Sequence, residues 1–147
     1  MLDLVLAIVH HVLVFGIFGL LFAELMLVRA GMEAGAVRRV ARLDAGYGAT
    51  AGLIIAVGFS RAVFAAKGWV YYSHNALFWA KIGAFALVGL LSIAPTLAYL
   101  RWRKQGGSPD AAEVAKARRW LWLEVLLFPF ILAFAAAMAR GYGEMLP

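Results

Sequence analysis

Four stretches of this chain are each long and apolar enough to cross a lipid bilayer, and that leaves few folds open. They fall at about 4–28, 45–65, 76–100 and 120–139. A bilayer core is about 30 Å thick, so a spanning helix needs about 20 mostly apolar residues and a barrel strand only about 9–11. In lipid every backbone N–H and C=O must find its partner within the protein, which restricts spanning structure to helices and closed barrels. Runs of this length exclude strands. The expectation is an all-α integral membrane protein, a single four-transmembrane-helix bundle covering residues 1–147.

Composition supports this reading. Of 147 residues 65% are hydrophobic, against about 45–50% in a soluble domain. Cysteine is absent, which rules out disulfides, thiolate metal sites and thiol chemistry. The net charge of +6 would suit a nucleic-acid partner if it formed one patch. Instead ten of the fourteen basic residues lie in two loops, Arg29, Arg38, Arg39 and Arg42, then Arg101, Arg103, Lys104, Lys116, Arg118 and Arg119. Basic residues gather in cytoplasmic loops. The pattern therefore predicts a multi-pass protein of a bacterial inner membrane, N-out and C-out, with the lipid bilayer as partner and no nucleic acid. Asp3 precedes the first span and no basic residue does, so the first span is expected to be a membrane helix and not a signal peptide.

Within the first span His10, Ile17, Leu21 and Glu24 share one broad helical face. Gly16 and Gly19 thin the same helix for a close neighbour. The loop at 29–43 reads as a short interfacial helix, with Val37, Val40 and Ala41 toward lipid and its arginines toward headgroups. A plain solvated loop is the alternative. In the second span Gly48 and Gly52 form a small-residue packing stripe. Pro95 is expected to kink the third span, and Ser108 or Asp110 to cap a short helix before the fourth. Trp120 and Trp122 mark the headgroup level.

An antiparallel bundle sorts the polar residues into two layers. Glu24, Arg42, Asp44, Tyr47, Arg101, Arg119 and Glu124 form an inner layer whose acids and bases balance, so pairing for structure is expected. The outer layer holds His10, His11, Arg61, Tyr71, Tyr72, His74, Asn75, Lys81 and Arg140, with carboxylates only at the termini, Asp3 and Glu144. Lys81 stands about one and a half turns inside the third span, where an unpaired charge is costly. Excess buried positive charge invites an anion such as a propionate, a phosphate or a lipid headgroup. A neutral histidine beside it is of the type that ligates haem iron, which makes His10 the candidate metal ligand. The cofactor-binding candidates are His10, His11, Arg61, Tyr72, His74, Lys81 and Arg140. Plainer readings compete: interfacial histidines, and an aromatic belt formed by Trp69, Tyr71, Tyr72 and Trp79. No nucleophile, phosphate-loop or metalloprotease spacing is present.

Several motifs together carry a resemblance: AxxHH at 7–11, RLDAGYG at 42–48, GxxR at 58–61, AKGWVYYSHNALFWAKIG at 66–83, GLLSIAPT at 89–96 and ARGYG at 139–143. Over nearly its full length the chain resembles a family of small bacterial four-helix inner-membrane proteins of unknown function. It is distantly similar to HemJ-type protoporphyrinogen oxidases and to the membrane domains of copper-resistance D proteins. That similarity implies haem b, with His10 at the haem-ligand position and Lys81 at the essential-lysine position. It also carries a departure. The oxidases place a histidine two residues before their lysine, and here that residue is Trp79.

Three functions follow. The leading one is binding of haem b or another tetrapyrrole in a redox role, with His10 or His11 as axial ligand and Arg61, Lys81 and Arg140 meeting propionates. The second is a non-enzymatic subunit that packs through Gly48 and Gly52 as a homo-oligomer or within a larger membrane complex. The third is a small-ion carrier. Whether the protein is an enzyme stays open at this point.

Overall fold

The computed structural model describes residues 1–64 and 67–145. Its helices are α1 Leu2–Leu27, α2 Ala34–Phe64, the short α3 Gly68–Ser73, α4 Ala76–Gln105 and α5 Ala111–Ala139. The four long ones are apolar enough to cross a membrane. Ala65, the last residue expected for the second span, lies outside the described residues.

The long helices form a ring. α1 packs on α2, α2 on α4, α4 on α5 and α5 back on α1, while α1 with α4 and α2 with α5 are diagonal and meet only through side chains. Short connections make successive spans antiparallel, as in an up-and-down bundle. Ile17, Leu21, Ile54, Val88, Leu121 and Phe128 fill the centre of the ring. The outward faces stay apolar, with Phe15, Leu90, Leu97 and Leu126 exposed. A helix apolar all round belongs in lipid or a core, so these faces meet the bilayer.

Two expectations change here. No separate interfacial helix forms at 29–43, because α2 begins at Ala34 and runs unbroken through the arginines. At about 1.5 Å per residue its 31 residues reach about 46 Å, well beyond the hydrocarbon core. The first turns therefore stand clear of the acyl chains, where Arg38, Arg39 and Arg42 are exposed to water. Val37, Val40 and Ala41 do not face lipid; they are buried in the bundle core. Likewise the cap helix expected after Ser108 is continuous with the fourth span as α5, which starts after Asp110.

The small-residue stripe faces outward. Gly48 and Gly52 are exposed, and a β-carbon on either would meet nothing within 4 Å. The same holds for Gly16 and Gly19. None of these glycines serves packing inside the chain. Both internal prolines, Pro95 and Pro129, are carried within continuous helices.

Each end of the bundle is fastened by a polar device. Arg118 reaches from α5 to the C-terminal end of α1 and donates to the Leu25 carbonyl at 2.7 Å and to the Val28 carbonyl. The last carbonyls of a helix lack internal partners and carry partial negative charge, so a guanidinium suits them. Nearby, Glu113 accepts from Arg101 at 2.6 Å and from the Trp102 indole at 2.8 Å, tying α4 to α5.

At the opposite end Asn75 does the fastening. Fully buried, it caps α4 by accepting from the Leu77 and Phe78 amides. Its side-chain amide donates to the Tyr142 carbonyl. Ala76 N–H donates to the Gly143 carbonyl and Met145 N–H to that of His74, so the C-terminal segment is clasped onto the start of α4. Gly143 has a φ of 84°, and a β-carbon there would lie 2.6 Å from Leu77 Cγ. Only glycine fits that position without strain.

Candidate functional site

The residues on one face of α1 lie as the 3.6-residue period requires. Ile17, Leu21 and Glu24 are buried and His10 is half-buried near one end. Gly58 and Arg61, three apart on α2, present a shared face to that end. A β-carbon on Gly58 would lie 3.3 Å from His10 Cε1, so the glycine supplies the room in which the imidazole packs. Lys81 joins from α4, its Nζ 5.2 Å from the centre of the Phe78 ring. The contact is a cation–π one.

These side chains line a cavity of about 310 Å³ at the His10 end. Tyr71 and Tyr72 wall it, and Ala135, Met138 and Ala139 of α5 close the far side. The Tyr71 hydroxyl donates to the Met138 carbonyl at 3.1 Å, which holds that wall in place. Beneath it an apolar cleft of about 70 Å³ continues into the bundle between Val14, Ile54, Phe85 and Phe128. His10 and Lys81 border both spaces.

The cavity is rich in unmatched donors. Among the described residues the one ion pair is Arg101–Glu113, at the other end of the molecule. Arg61 and Lys81 therefore have no carboxylate in contact. Asp3 reaches the cavity rim but pairs with neither. Arg61 Nε and His10 Nδ1 are buried without a hydrogen-bond partner. Lys67, on the loop at the rim, sits over the Tyr71 ring at 4.1 Å, and this partnership with Tyr71 holds its ammonium pKa above the usual lysine value.

Of the sequence-derived candidates, His10, Arg61, Tyr72 and Lys81 meet in this cavity. His11 touches its edge but is exposed, with its Nδ1 bonded to the Ala7 carbonyl of its own helix at 2.6 Å. Successive helical residues point about 100° apart, so one of the two histidines turns outward. His74 is exposed beyond α3 and bonded to the Val70 carbonyl and Ser73, and Arg140 is exposed at the end of α5. Neither lines the cavity. Trp79, standing where the oxidases have a histidine, is half-exposed and donates to the Ser73 carbonyl at 3.0 Å.

The inner layer is rearranged more deeply. Its acids and bases do not pair: Arg42, Arg101 and Arg119 are exposed, and Arg101 binds Glu113 instead. Long arginine side chains reach water from near a helix end at little cost. Glu24, Asp44 and Glu124 stay buried together. Their partners are hydroxyls, Tyr47 on Glu124 at 3.2 Å and Thr96 on Asp44 at 2.7 Å, with Tyr99 facing Glu24. Thr96 and Tyr99 are missing from the sequence reading. Their i, i+3 spacing, matching that of Asp44 and Tyr47, is the signal that marks them.

Comparison with known proteins adds the family and little else. No curated protein and no solved structure matches the chain. Residues 2–143 match the model of a family described as "Predicted membrane protein (DUF2214)", and the chain belongs to that family.

Proposed function

We propose that this protein binds an anionic, membrane-soluble ligand acid-end first in the cavity at the His10 end. The observation that carries the reading is the meeting of Arg61 and Lys81, from two different helices, in one half-buried cavity with no carboxylate paired to either. A buried cation without a counter-charge is costly, and an incoming carboxylate or phosphate relieves the cost by forming charge-assisted hydrogen bonds. The unpartnered Arg61 Nε and His10 Nδ1 supply further polar contacts. The apolar cleft below accepts part of a hydrocarbon body, and the bilayer around the bundle is the ligand's source.

A cavity of about 310 Å³ stands at the small end of the ~300–1,000 Å³ range of small-molecule sites. It suits an acid head group with a short apolar extension. Haem b shares the acid groups, and His10 would hold its iron and Arg61 and Lys81 its propionates, but its macrocycle needs more room than an acid head group with a short apolar extension. When bound, such a group supplies one-electron chemistry. The chain's own residues supply charge neutralisation and, at His10, a single imidazole. The basic loops at 29–43 and 101–119 support a cavity on the non-cytoplasmic side of a bacterial inner membrane.

The test is a titration of the purified protein, in neutral detergent, with a fluorescent fatty acid. Lys81→Met and Arg61→Gln are each expected to weaken binding about tenfold to a hundredfold, the worth of one charge-assisted hydrogen bond. Equal affinity in wild type and both variants would refute the reading. An oxidised-minus-reduced spectrum after haem-supplemented expression separates the haem version, whose Soret band His10→Ala abolishes.

A second reading rests on a different surface. Gly48 and Gly52 are exposed on the outside of α2 with open space before them. Such a stripe lets two helices approach closely in a membrane. It supports a role as a packing subunit, either with a second copy or in a larger assembly.

A further inference from the structure

The second polar cluster lies about 20 Å along α1 from the first, 14 residues on at about 1.5 Å each. Every long helix contributes to it: Glu24 from α1, Asp44 and Tyr47 from α2, Thr96 and Tyr99 from α4, and Glu124 from α5. The carboxyls are almost wholly enclosed, with Glu24 2%, Asp44 8% and Glu124 1% exposed. Ionisable residues so placed inside a bundle are costly to keep and mark a function by default.

The hydrogen-bond inventory of the cluster does not close. Each carboxylate offers two acceptor oxygens and no donor. Three hydroxyls serve three carboxyls. Tyr47 donates to Glu124 Oε2 and Thr96 to Asp44 Oδ1, which leaves Glu24 Oε1 and Glu124 Oε1 buried with nothing donating to them. Tyr99, with 0% exposure, points its hydroxyl into the cluster toward Glu24 yet makes no hydrogen bond of normal geometry. Donors are short and negative charge is in excess.

No basic side chain corrects the excess. Arg42 and Arg119 are exposed. Arg118, the half-buried cation at this end, spends its guanidinium on the Leu25 and Val28 carbonyls. The titratable groups that face one another across the cluster are Glu24, Asp44, Tyr47, Tyr99 and Glu124, all acids. Charge must therefore be balanced by a small cation from outside. Among the described residues no three of His, Asp and Glu converge closely enough to hold a metal ion. A proton needs no such convergence. Added to a carboxyl it cancels one charge and turns an acceptor oxygen into a donor, which meets both deficits at once.

We propose that Glu24, Asp44 and Glu124 form an intramembrane proton-binding site, with the Tyr47, Thr96 and Tyr99 hydroxyls as its hydrogen-bond partners. It shares no residue with the cavity at the His10 end, and its test is independent of that reading. Ile17, Leu21, Ile54 and Val88 fill the core between the two. Protons therefore enter and leave at the Glu24 end, where the arginine-rich turns of α2 and α5 meet water.

The experiment is infrared titration of the full-length protein in lipid nanodiscs, following the carboxylic-acid C=O band as pH is varied. Glu24→Gln, Asp44→Asn, Glu124→Gln and Tyr99→Phe serve as variants. A pH-dependent band that each amide variant diminishes, and that Tyr99→Phe shifts in frequency, is expected. Replacing choline by Na⁺ at constant pH should leave the band unchanged. If the amide variants fail to fold, Tyr99→Phe decides, because it keeps all three carboxyls and removes one neighbour. Spectra identical in wild type and Tyr99→Phe at every pH would overturn the proposal. So would a band that Na⁺ converts to carboxylate, which would assign the site to a metal cation.

Discussion

Replacing Gly143 by alanine should loosen the end of the bundle that carries the basic cavity, and the size of the effect follows from geometry. Gly143 has a φ of 84°, a region where a side chain costs about 1–2 kcal/mol. Its new β-carbon would lie 2.6 Å from Leu77 Cγ and 3.0 Å from Asn75 Oδ1. Overpacking of this kind costs about 1–3 kcal/mol. Alanine also restricts the unfolded chain, which returns about 0.4–1 kcal/mol. The net expectation is about 2–4 kcal/mol of destabilisation.

Gly141 is the internal control. Its φ is 86°, but a β-carbon there would meet nothing within 4 Å. Gly141→Ala should cost only the backbone part, about 1 kcal/mol. Denaturant unfolding of the three proteins in one detergent, followed by tryptophan fluorescence, gives both values. Gly143→Ala should lie below Gly141→Ala by about 1–3 kcal/mol. Equal midpoints would refute the claim that the C-terminal clasp on Asn75 and Leu77 holds this end.

Other outcomes are equally definite. Arg118→Ala removes two hydrogen bonds from the end of α1 and should destabilise the fold by about 1.5–3 kcal/mol, whereas Arg119→Ala, at an exposed site, should be near neutral in the same unfolding assay. Gly58→Val pushes carbon into the His10 ring and narrows the cavity, so fatty-acid affinity should fall about tenfold or more while far-UV circular dichroism stays unchanged. Gly52→Leu should leave the monomer's stability intact and, if α2 packs on a second copy, convert dimers to monomers in cross-linking from lipid.

The parts of the fold legible in the sequence are those set by local physics. Hydropathy alone places the four spans, and helical periodicity alone places His10, Ile17, Leu21 and Glu24 on one face. The beginning of α2 is less legible. Arg38, Arg39 and Arg42 interrupt the apolar pattern, but a helix continues through charged residues wherever its exposed face reaches water. Gly48 and Gly52 show that a small-residue stripe reveals a face without revealing which way it points.

At the basic cavity the antiparallel order of the helices is enough to bring Arg61 and Lys81 to His10's end. Which of two adjacent histidines turns inward depends on helix rotation, which no local pattern encodes. The clasp of Asn75 on Tyr142 spans 67 residues, and nothing in either short motif announces the other. The acidic cluster escapes notice for a related reason. Charge balance along the sequence suggests pairing, whereas the arginines reach water and the carboxyls turn to tyrosines and a threonine.

The central claim concerns charge, and charge can be removed from the ligand while the protein is left untouched. The most direct measurement titrates wild-type protein in nanodiscs with a fluorescent fatty acid and with its methyl ester. The acid is expected to bind at least about tenfold more tightly, since only it forms the charge-assisted contacts with Arg61 and Lys81. Equal affinity for acid and ester would contradict the assignment of the cavity to an anionic ligand.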